Sequence, residues 1–386
     1  MKFSTHTPVL LAVLLLFLFS CDLFKKKQEE VPGCTDPTAD TYNPLATVNV
    51  NDSCSYSIAS FYPEGKYSNT DGNNPITQIT QIPALAYQDI QSKIVNNRTC
   101  IEVLGVQITE NGVHHEITHL EMQEKRNGVF TKDASFESSF TETTRVGVVL
   151  VLQQSIRSDL SQAGDEAKYS NLKSYAQDVV SNFKSKADNA KANNPNSRQD
   201  YYVSIVGYGT KDSISVAAFP GTPLNTATQT TINQYISNLP RKANQFAALG
   251  QALQYAVNQF NNLSVPVDYR CIIIIGDGKE NDSDGQLTPA IDALKASNVD
   301  GVYCIGILEN GISTLQGGGQ QNFIDLAKVV EDGFFNNAKL VEDTKPVFTK
   351  LYSNIPNTYN LKYERSPQST TGQIDIRWVL TTKKKL

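Results

Sequence analysis

Two uninterrupted apolar segments constrain the fold of this chain more than any other feature of its sequence. Residues 146–152 read VGVVLVL and residues 271–276 read CIIIIG, so neither segment alternates between apolar and polar positions. A strand that is apolar on both sides must be covered on both faces, and helices above and below a parallel sheet provide that cover. The two segments therefore predict a doubly wound, mostly parallel α/β sheet.

Alternating strands and amphipathic helices extend this prediction over residues 144–355. Two helices are predicted from apolar residues at three- and four-residue spacing, one over 172–183 and one over 246–260. Ligands of doubly wound sheets bind at the carboxyl ends of the strands, which here are marked by Gln153 and Asp277. Further strands are predicted at 201–208, 213–219 and 301–308.

A different pattern flanks this central region. Residues 57–143 and 356–386 show apolar–polar alternation, interrupted in the first stretch by Asn-Gly pairs that are typical of hairpin turns. We predict that strands from both flanks build one β-sandwich, which holds the central domain at both of its ends. The inward-facing candidates in the second flank are Leu361, Tyr363, Ile374, Ile376, Trp378 and Leu380.

Composition excludes one class of function. The 386 residues are 40% hydrophobic and 19% charged, with a net charge of -5. This balance is typical of a globular protein with several domains, and it leaves no basic footprint for nucleic acid. Nucleic-acid binding is therefore not expected.

The N-terminus carries a targeting signal. Lys2 precedes an apolar run over residues 9–19, which suits a secretory signal and is too short to span a bilayer. The sequence LFSC at 18–21 resembles a bacterial lipobox, which implies a signal peptide at 1–20 and a lipid on Cys21. An ordinary signal peptide with an incidental cysteine is the alternative.

The segment after the signal indicates where the chain is anchored. Residues 21–32 form a polar tether, and its Gln-Glu-Glu resembles the export signals of surface lipoproteins in Bacteroidetes. We therefore predict an exported protein, lipid-anchored in the bacterial envelope, with the outer membrane and the cell surface as its expected places.

A short stretch rich in Asp, Asn, Pro and Thr follows at 33–56. An exported chain lies in an oxidising compartment, where a bond between Cys34 and Cys54 would contribute about 3 kcal/mol in place of a core. The stretch resembles a Gly-Cys-Thr-Asp-Pro repeat of exported Bacteroidetes proteins. Its oxygen-bearing side chains suit calcium, or simply make turns, and the calcium candidates are Asp36, Asp40 and Asp52.

Three segments of the central region carry a family resemblance. RCIIIIGDGKENDSDG at 270–285, ALKASNVDGVYCIGI at 293–307 and NFIDLAKVVEDGFF at 322–335 resemble successive strands, loops and helices of von Willebrand factor A domains. The resemblance covers about 210 residues in the family's order. It implies a binding domain, and often a divalent cation at a metal-ion-dependent adhesion site.

The residues at that site depart from the family pattern. Of its Asp-x-Ser-x-Ser motif, the first Asp falls on Gln153, the first Ser on Ser155 and the second Ser on Arg157. The Thr before the central helix falls on Ala247, and the loop Asp is Asp277. A guanidinium repels a cation and can fork to a carboxylate, so we predict that Arg157 pairs with Asp277 and that no metal is bound. An altered site that still takes magnesium or calcium is the alternative.

Two other motifs suggest metal chemistry. The loop that begins at Asp277 also carries Glu280, Asp282 and Asp284, which could bind calcium at the surface or form a solvated acidic loop. His115 and His119 with the intervening Glu satisfy His-Glu-x-x-His, a zinc peptidase motif when it lies on a helix. On a strand the two His would share one face, and the Glu would point to the other.

Taken together, the residues favour a non-enzymatic module for protein binding, adhesion or assembly. The predicted partners are another protein or envelope macromolecule and, through the lipid, the membrane. No cofactor is predicted. Metal-dependent adhesion and a zinc peptidase stay open as alternatives.

Overall fold

Two compact units make up the chain, Met1–Tyr56 and Ser57–Leu386. In the first, strands β1 (Pro32–Gly33) and β2 (Val48–Asn49) pair in parallel. The computed structural model describes residues 31–33, 46, 48–49, 58–68, 79, 82–95, 98–132, 136–155, 162–219, 221–241, 246–281, 286–308, 314–315, 318–365 and 373–385.

The strands of the second unit form one continuous sheet. In chain order they are β3 (Ile58–Phe61), β4 (Glu64–Ser68), β5 (Leu85–Ala86), β6 (Asp89–Val95), β7 (Arg98–Glu110), β8 (Val113–Arg126), β9 (Val129–Lys132), β10 (Phe136–Gln153), β11 (Arg198–Tyr208), β12 (Ser215–Ala217), β13 (Tyr269–Gly276), β14 (Gly301–Ile307), β15 (Asp332–Ala338), β16 (Tyr359–Arg365) and β17 (Gln373–Lys384). The helices are α1 (Gln162–Asn193), α2 (Thr226–Asn238), α3 (Leu249–Gln259), α4 (Leu287–Lys295), α5 (Gly319–Ala327) and α6 (Lys345–Asn354).

The parallel part of the sheet is built around β10, a strand of 18 residues. Its second half lies between β11 and β13 and runs parallel to both. Beyond β13 come β14 and then β15, again in parallel, whereas the short β12 pairs with β11 in antiparallel fashion.

Both faces of this parallel part are covered, as the apolar segments predicted. Val148 and Leu150 pack in a core with side chains of α1, α2 and α6. Val149 and Val151, which point the other way, pack with α3, α4 and α5. Burying each such side chain contributes about 1.5–3 kcal/mol, so both helical layers stabilise the sheet. The predicted α/β fold class is confirmed.

The structure differs from the sequence prediction at three elements. Helix α3 begins at Leu249 rather than 246, because the backbone of Ala248, with φ of -98° and ψ of 60°, is not helical. Phe246, placed on the helical face by the prediction, precedes the helix and is 44% exposed. Only 215–217 of the strand predicted at 213–219 is a strand, and β15 was not predicted.

Two Asn-Gly turns connect β7 with β8 and β8 with β9. Asn111 and Gly112 have φ of 53° and 77°, and Asn127 and Gly128 have φ of 52° and 83°. Positive φ at both central residues is the requirement of a type I′ hairpin turn, which Asn-Gly meets at low cost. The predicted turns are confirmed.

Strands β7 and β8 pair only beside their turn and then separate into different layers. Strand β7 continues between β6 and β16, whereas β8 continues beside β17. The C-terminal strands thus pair directly with strands that precede the parallel part. The two layers share one apolar core, which includes the predicted inward residues Leu361, Tyr363, Ile376, Trp378 and Leu380. The domain boundaries at 57–143, 144–355 and 356–386 stay predictions.

A buried polar cluster, which we call the junction, lies where β10 passes from the antiparallel to the parallel part. Glu142 is 8% exposed, and its Oε1 accepts hydrogen bonds from Thr144 Oγ1 at 2.9 Å, Gln199 Nε2 at 2.7 Å and Asn357 Nδ2 at 2.7 Å. Lys385 Nζ donates to Asn357 Oδ1 at 2.5 Å. Burial raises the pKa of Glu142, against the lowering effect of Gln199 and Thr144. The junction thus joins four distant segments of the chain.

Candidate functional site

The predicted site lies at the carboxyl ends of β10 and β13. Gln153 is the last residue of β10, and its fully buried Oε1 accepts a hydrogen bond from the backbone N–H of Asp277 at 2.8 Å. This contact requires glycine at the end of β13, because a Cβ on Gly276 would lie 2.4 Å from Gln153 Oε1. The two strand ends are therefore locked together by an amide where the family pattern has a carboxylate.

Asp277 is compensated by its own loop. It is 4% exposed, and its Oδ1 accepts from the backbone N–H of Lys279 at 3.0 Å. The ammonium Nζ of Lys279 lies 3.7 Å from Asp277 Oδ2. Gly278 makes this possible, because its φ of 70° turns the chain back over Asp277. Lys279 is the positive charge that the structure places at the strand ends.

Sequence reasoning missed Lys279 and assigned the positive charge to Arg157. Arg157 lies outside the described residues, so its pairing with Asp277 stays a prediction. The available signal was Asp-Gly-Lys itself, because glycine after a strand-end carboxylate allows the next side chain to fold back.

Ser155 and Ala247 have structural partners. Ser155 is buried, and its Oγ donates to the backbone carbonyl of Phe246 at 2.5 Å. The backbone N–H of Ala247 donates to Asn281 Oδ1 at 2.7 Å, and the N–H of Asn281 donates back to the carbonyl of Ala247 at 3.0 Å. The hydroxyl of Ser155 and the backbone of Ala247 thus fasten the segment before α3 to the end of β10 and to the loop after β13.

Glu280 serves the same segment. Its Oε2 accepts from the backbone N–H of Gly250 at 2.5 Å, in the first turn of α3. A carboxylate is favourable there because helix N-termini carry partial positive charge. Of the carboxylates predicted for a calcium loop, that of Glu280 is thus engaged by the helix. Asp282 and Asp284 lie outside the described residues.

Tyr208 completes the buried side of the site. Its hydroxyl donates to Gln153 Oε1 at 3.5 Å. Burial, and then the nearby carboxylates of Asp277 and Glu280, raise the pKa of Tyr208 far above its ordinary value, so the phenol stays neutral. We define the strand-end edge as Gln153, Ser155, Ala247, Asp277 and Lys279.

The side chains of the strand-end edge do not form a ligand set that fits a hard divalent cation. Mg²⁺ and Ca²⁺ require several oxygen ligands, preferably anionic. The strand-end edge offers a single carboxylate that already faces an ammonium, a hydroxyl that donates to a carbonyl, and an amide oxygen that accepts a backbone N–H. Within the described ranges, no group of three or more His, Cys, Asp or Glu side chains could hold a metal ion.

The His-Glu-x-x-His hypothesis is wrong in its geometry. The motif lies on strand β8 and not on a helix, so the i, i+4 spacing does not bring the two imidazoles together. The expectation that both His share a face of the strand is wrong as well. His119 pairs with Thr381 but Ile117 pairs with Thr382, a bulge that leaves Thr118 as an extra residue. His115 is consequently buried and His119 exposed.

The predicted N-terminal sites cannot be placed. Cys21, Cys34 and Cys54, and the calcium candidates Asp36, Asp40 and Asp52, lie outside the described residues. None of the described helices is long and apolar enough to cross a membrane.

Several solved structures resemble parts of this chain at low sequence identity. The PilB minor pilin of Streptococcus sanguinis is 11% identical, with a TM-score of 0.40, and the match covers 76% of this chain and 87% of that one. The manganese-loaded TRAP protein of Plasmodium vivax is 13% identical, with a TM-score of 0.38 and coverage of 59% and 80%. A mussel byssus protein, proximal thread matrix protein 1, is 14% identical, with a TM-score of 0.38 and coverage of 58% and 49%. This chain thus spans about half the length of the mussel protein.

The central part of this chain matches a protein family. No curated protein matches this chain. The von Willebrand factor type A domain family matches residues 148–331, which run from the middle of β10 through α3, β13, α4, β14 and α5. The order of elements, the parallel sheet covered on both faces and the strand-end position of Asp277 agree with that match. Residues 148–331 of this chain are therefore a von Willebrand factor type A domain.

Proposed function

We propose that this protein is a non-enzymatic binding module whose type A domain contacts another protein or envelope macromolecule through the strand-end edge, without a resident divalent cation. Type A domains commonly mediate protein binding or adhesion, which supports the general role. The observation that carries the metal-independent part is the ammonium of Lys279, 3.7 Å from Asp277 Oδ2.

The physical argument compares Lys279 with a metal ion. A metal ion entering the strand-end edge would have to displace Lys279 Nζ from Asp277. The positive charge of that ammonium would also repel the metal ion at close range. The ion would also compete with the backbone N–H of Asp277 for Gln153 Oε1. Metal binding would therefore disturb the ion pair of Asp277 and the hydrogen bond that Gln153 Oε1 accepts.

Isothermal titration calorimetry of the full chain with Mg²⁺, Mn²⁺ and Ca²⁺ tests this proposal. We expect no binding in the micromolar range. Micromolar binding that disappears in Asp277→Ala would contradict the proposal and favour an altered, functional cation site.

A restored variant supplies the positive control. Gln153→Asp, Arg157→Ser, Ala247→Thr and Lys279→Ser together rebuild the family's ligand set and remove both cations from its vicinity. We expect this variant to bind Mn²⁺ measurably, which shows that the assay can detect such a site on this scaffold.

Location is the second part of the proposal. We infer that the protein is exported and lipid-anchored through Cys21 in a bacterial envelope, because the segment before Cys21 has the length and order of a lipoprotein signal. Several acyl chains on one cysteine would anchor it stably, since each buried CH₂ contributes about 0.8 kcal/mol.

Lipid labelling tests the anchor. In a bacterial host, incorporation of labelled palmitate into the wild type and its loss in Cys21→Ser are expected. Equal labelling of both proteins would contradict the anchor. Protease treatment of intact cells distinguishes an outward-facing protein, which is cleaved, from a periplasmic one, which is protected.

A further inference from the structure

Three side chains of the junction meet in an order that permits a covalent reaction. Asn357 is buried between the other two, Lys385 and Glu142. Lys385 Nζ donates to Asn357 Oδ1 at 2.5 Å, and Asn357 Nδ2 donates to Glu142 Oε1 at 2.7 Å. These two contacts fix the orientation of the amide, because its oxygen can only accept and its nitrogen can only donate. The amide carbonyl therefore faces an amine, and the amide nitrogen faces a carboxyl group.

The amine is close enough to react with the amide carbon. A C=O bond is about 1.23 Å long, so Lys385 Nζ lies no more than about 3.7 Å from Asn357 Cγ. Reacting atoms in productive arrangements are about 3–3.5 Å apart. A small movement of Nζ toward the face of the amide therefore brings it to attacking distance.

The surroundings favour the uncharged forms that such a reaction needs. Burial lowers the pKa of Lys385 to about 8, against the raising effect of the Glu116 and Glu142 carboxylates. Burial also raises the pKa of Glu142. Transfer of one proton from the ammonium to the carboxylate then gives a neutral amine, which is a nucleophile, and a carboxylic acid, which is a proton donor.

We propose that Lys385 and Asn357 form an intramolecular isopeptide bond, with Glu142 as the catalytic residue that transfers the protons. Lys385 Nζ attacks Asn357 Cγ. Glu142 gives its proton to Nδ2, which leaves as ammonia, and takes up a proton from Nζ. The Nζ–Cγ bond forms, the Cγ–Nδ2 bond breaks, and Glu142 ends in the form in which it began, so the reaction consumes no further reactant.

The bond ties the residue after β17 to the segment between α6 and β16. These two residues are 28 positions apart in sequence. Because the link persists when the protein unfolds, it restricts the unfolded chain and so favours the folded state. The antiparallel part and the type A domain are thereby joined by a covalent connection that the linear sequence does not contain.

Peptide mass spectrometry of the full chain tests the bond. After denaturation in urea, cleavage at glutamate residues places Asn357 in fragment 343–364 and Lys385 in fragment 365–386. We expect a branched species, lighter than the sum of the two fragments by the mass of one ammonia molecule. Fragmentation in the spectrometer is expected to locate the link between positions 357 and 385.

Variants separate the reaction from the hydrogen bonds. Lys385→Arg keeps the positive charge but removes the nucleophilic amine, and it is expected to give the two fragments unlinked. Glu142→Gln keeps an acceptor oxygen but cannot carry a proton, so we expect the link to form at least about 100-fold more slowly. Lys384→Arg, at the last position of β17, is the matched control and is expected to be linked as the wild type is.

Variants at Glu142 change both the hydrogen bonds and the isopeptide bond. Their unfolding is therefore compared in the Lys385→Arg background, in which no protein carries the link.

Three results would overturn the proposal. Two unlinked fragments of unmodified mass from the folded wild type would do so, and this measurement needs no variant. A loss of ammonia without a branched species would do so as well, because cyclisation of an asparagine would then be its source. The third is a link that persists in a folded Lys385→Arg variant.

Discussion

The strand-end edge and the junction each bury a carboxyl group, and they compensate it in opposite ways. At the edge, Asp277 faces the ammonium of Lys279 and one backbone N–H. At the junction, Glu142 accepts three hydrogen bonds from neutral side chains on a single oxygen. The edge therefore contains a charge pair that an incoming group can rearrange, whereas the junction contains a network that only local unfolding can open.

The difference follows from the elements that supply the partners. Lys279 comes from the same loop as Asp277, two residues away, and is 23% exposed. The partners of Glu142 come from β10, β11 and the segment before β16, up to 215 residues away in sequence. Short-range partners on a loop suit a recognition surface, and long-range partners on strands suit a structural joint.

Removal of the Glu142 carboxyl group should have the largest effect. Glu142→Ala leaves three buried donors without their acceptor, so we expect the free energy of unfolding to fall by about 3–5 kcal/mol. Glu142→Gln retains Oε1, and its loss should be within about 1 kcal/mol. Urea unfolding of both variants measures this. Equal losses would show that the junction, like the edge, depends on charge.

We expect acid to lower the free energy of unfolding because His114 is buried. Burial, and then Lys385, lower the pKa of His114 to about 4. Between pH 6.5 and 4, His114 is protonated in the unfolded chain but stays neutral in the folded protein. The free energy of unfolding therefore falls as the pH falls. The His114 contribution is at most about 3 kcal/mol.

His114→Gln isolates this contribution. Unfolding of the wild type and the variant at several pH values should show a difference that changes through this window and is constant above it. Glu142 titrates in both proteins, so its effect cancels in the comparison. A difference independent of pH would contradict the buried neutral state of His114.

Disturbing the contact between Gly276 and Gln153 at the two strand ends is expected to have the next smaller effect. A methyl group at position 276 meets Gln153 Oε1, so we expect Gly276→Ala to lower the free energy of unfolding by about 1–3 kcal/mol. In a Gln153→Ala background the same change should cost less, because the obstructing side chain is gone. Additive losses in this double-mutant cycle would show that the two residues do not share the contact.

The smallest effect is expected at Lys279. Lys279→Met leaves the Asp277 carboxylate without its ammonium and should cost about 1 kcal/mol or less, because the two groups lie 3.7 Å apart and Lys279 is 23% exposed. Adding Asp277→Asn should recover most of that loss. Thermal unfolding at low and high salt measures both, and a loss that persists in the double variant would point to packing of the lysine stem instead.

The sequence was sufficient for the parallel part of the fold because its signals are local. The apolar runs at 146–152 and 271–276 predict burial on both faces, and the Asn-Gly pairs predict hairpin turns. The strand-end position of Gln153 and Asp277 follows from the ends of those runs. Long-range pairing is what the sequence could not supply.

Three misses have this origin. The face of His119 depends on a bulge in β8 that is fixed by its pairing with β17, more than 250 residues later. Helix α3 starts after Ala248, whose non-helical backbone bonds to Gly209, a residue distant in sequence. Glu142 carries no local sign of its role, since Gln199 and Asn357 become its neighbours only in the folded protein.

The continuity of β10 has a mechanical consequence. One unbroken backbone, Phe136–Gln153, enters beside β16 in the antiparallel part and ends at the strand-end edge. Tension applied at that edge passes along covalent bonds into the antiparallel part, with no extensible linker between. There the hydrogen bonds to β16 bear the load together in shear, rather than opening one after another.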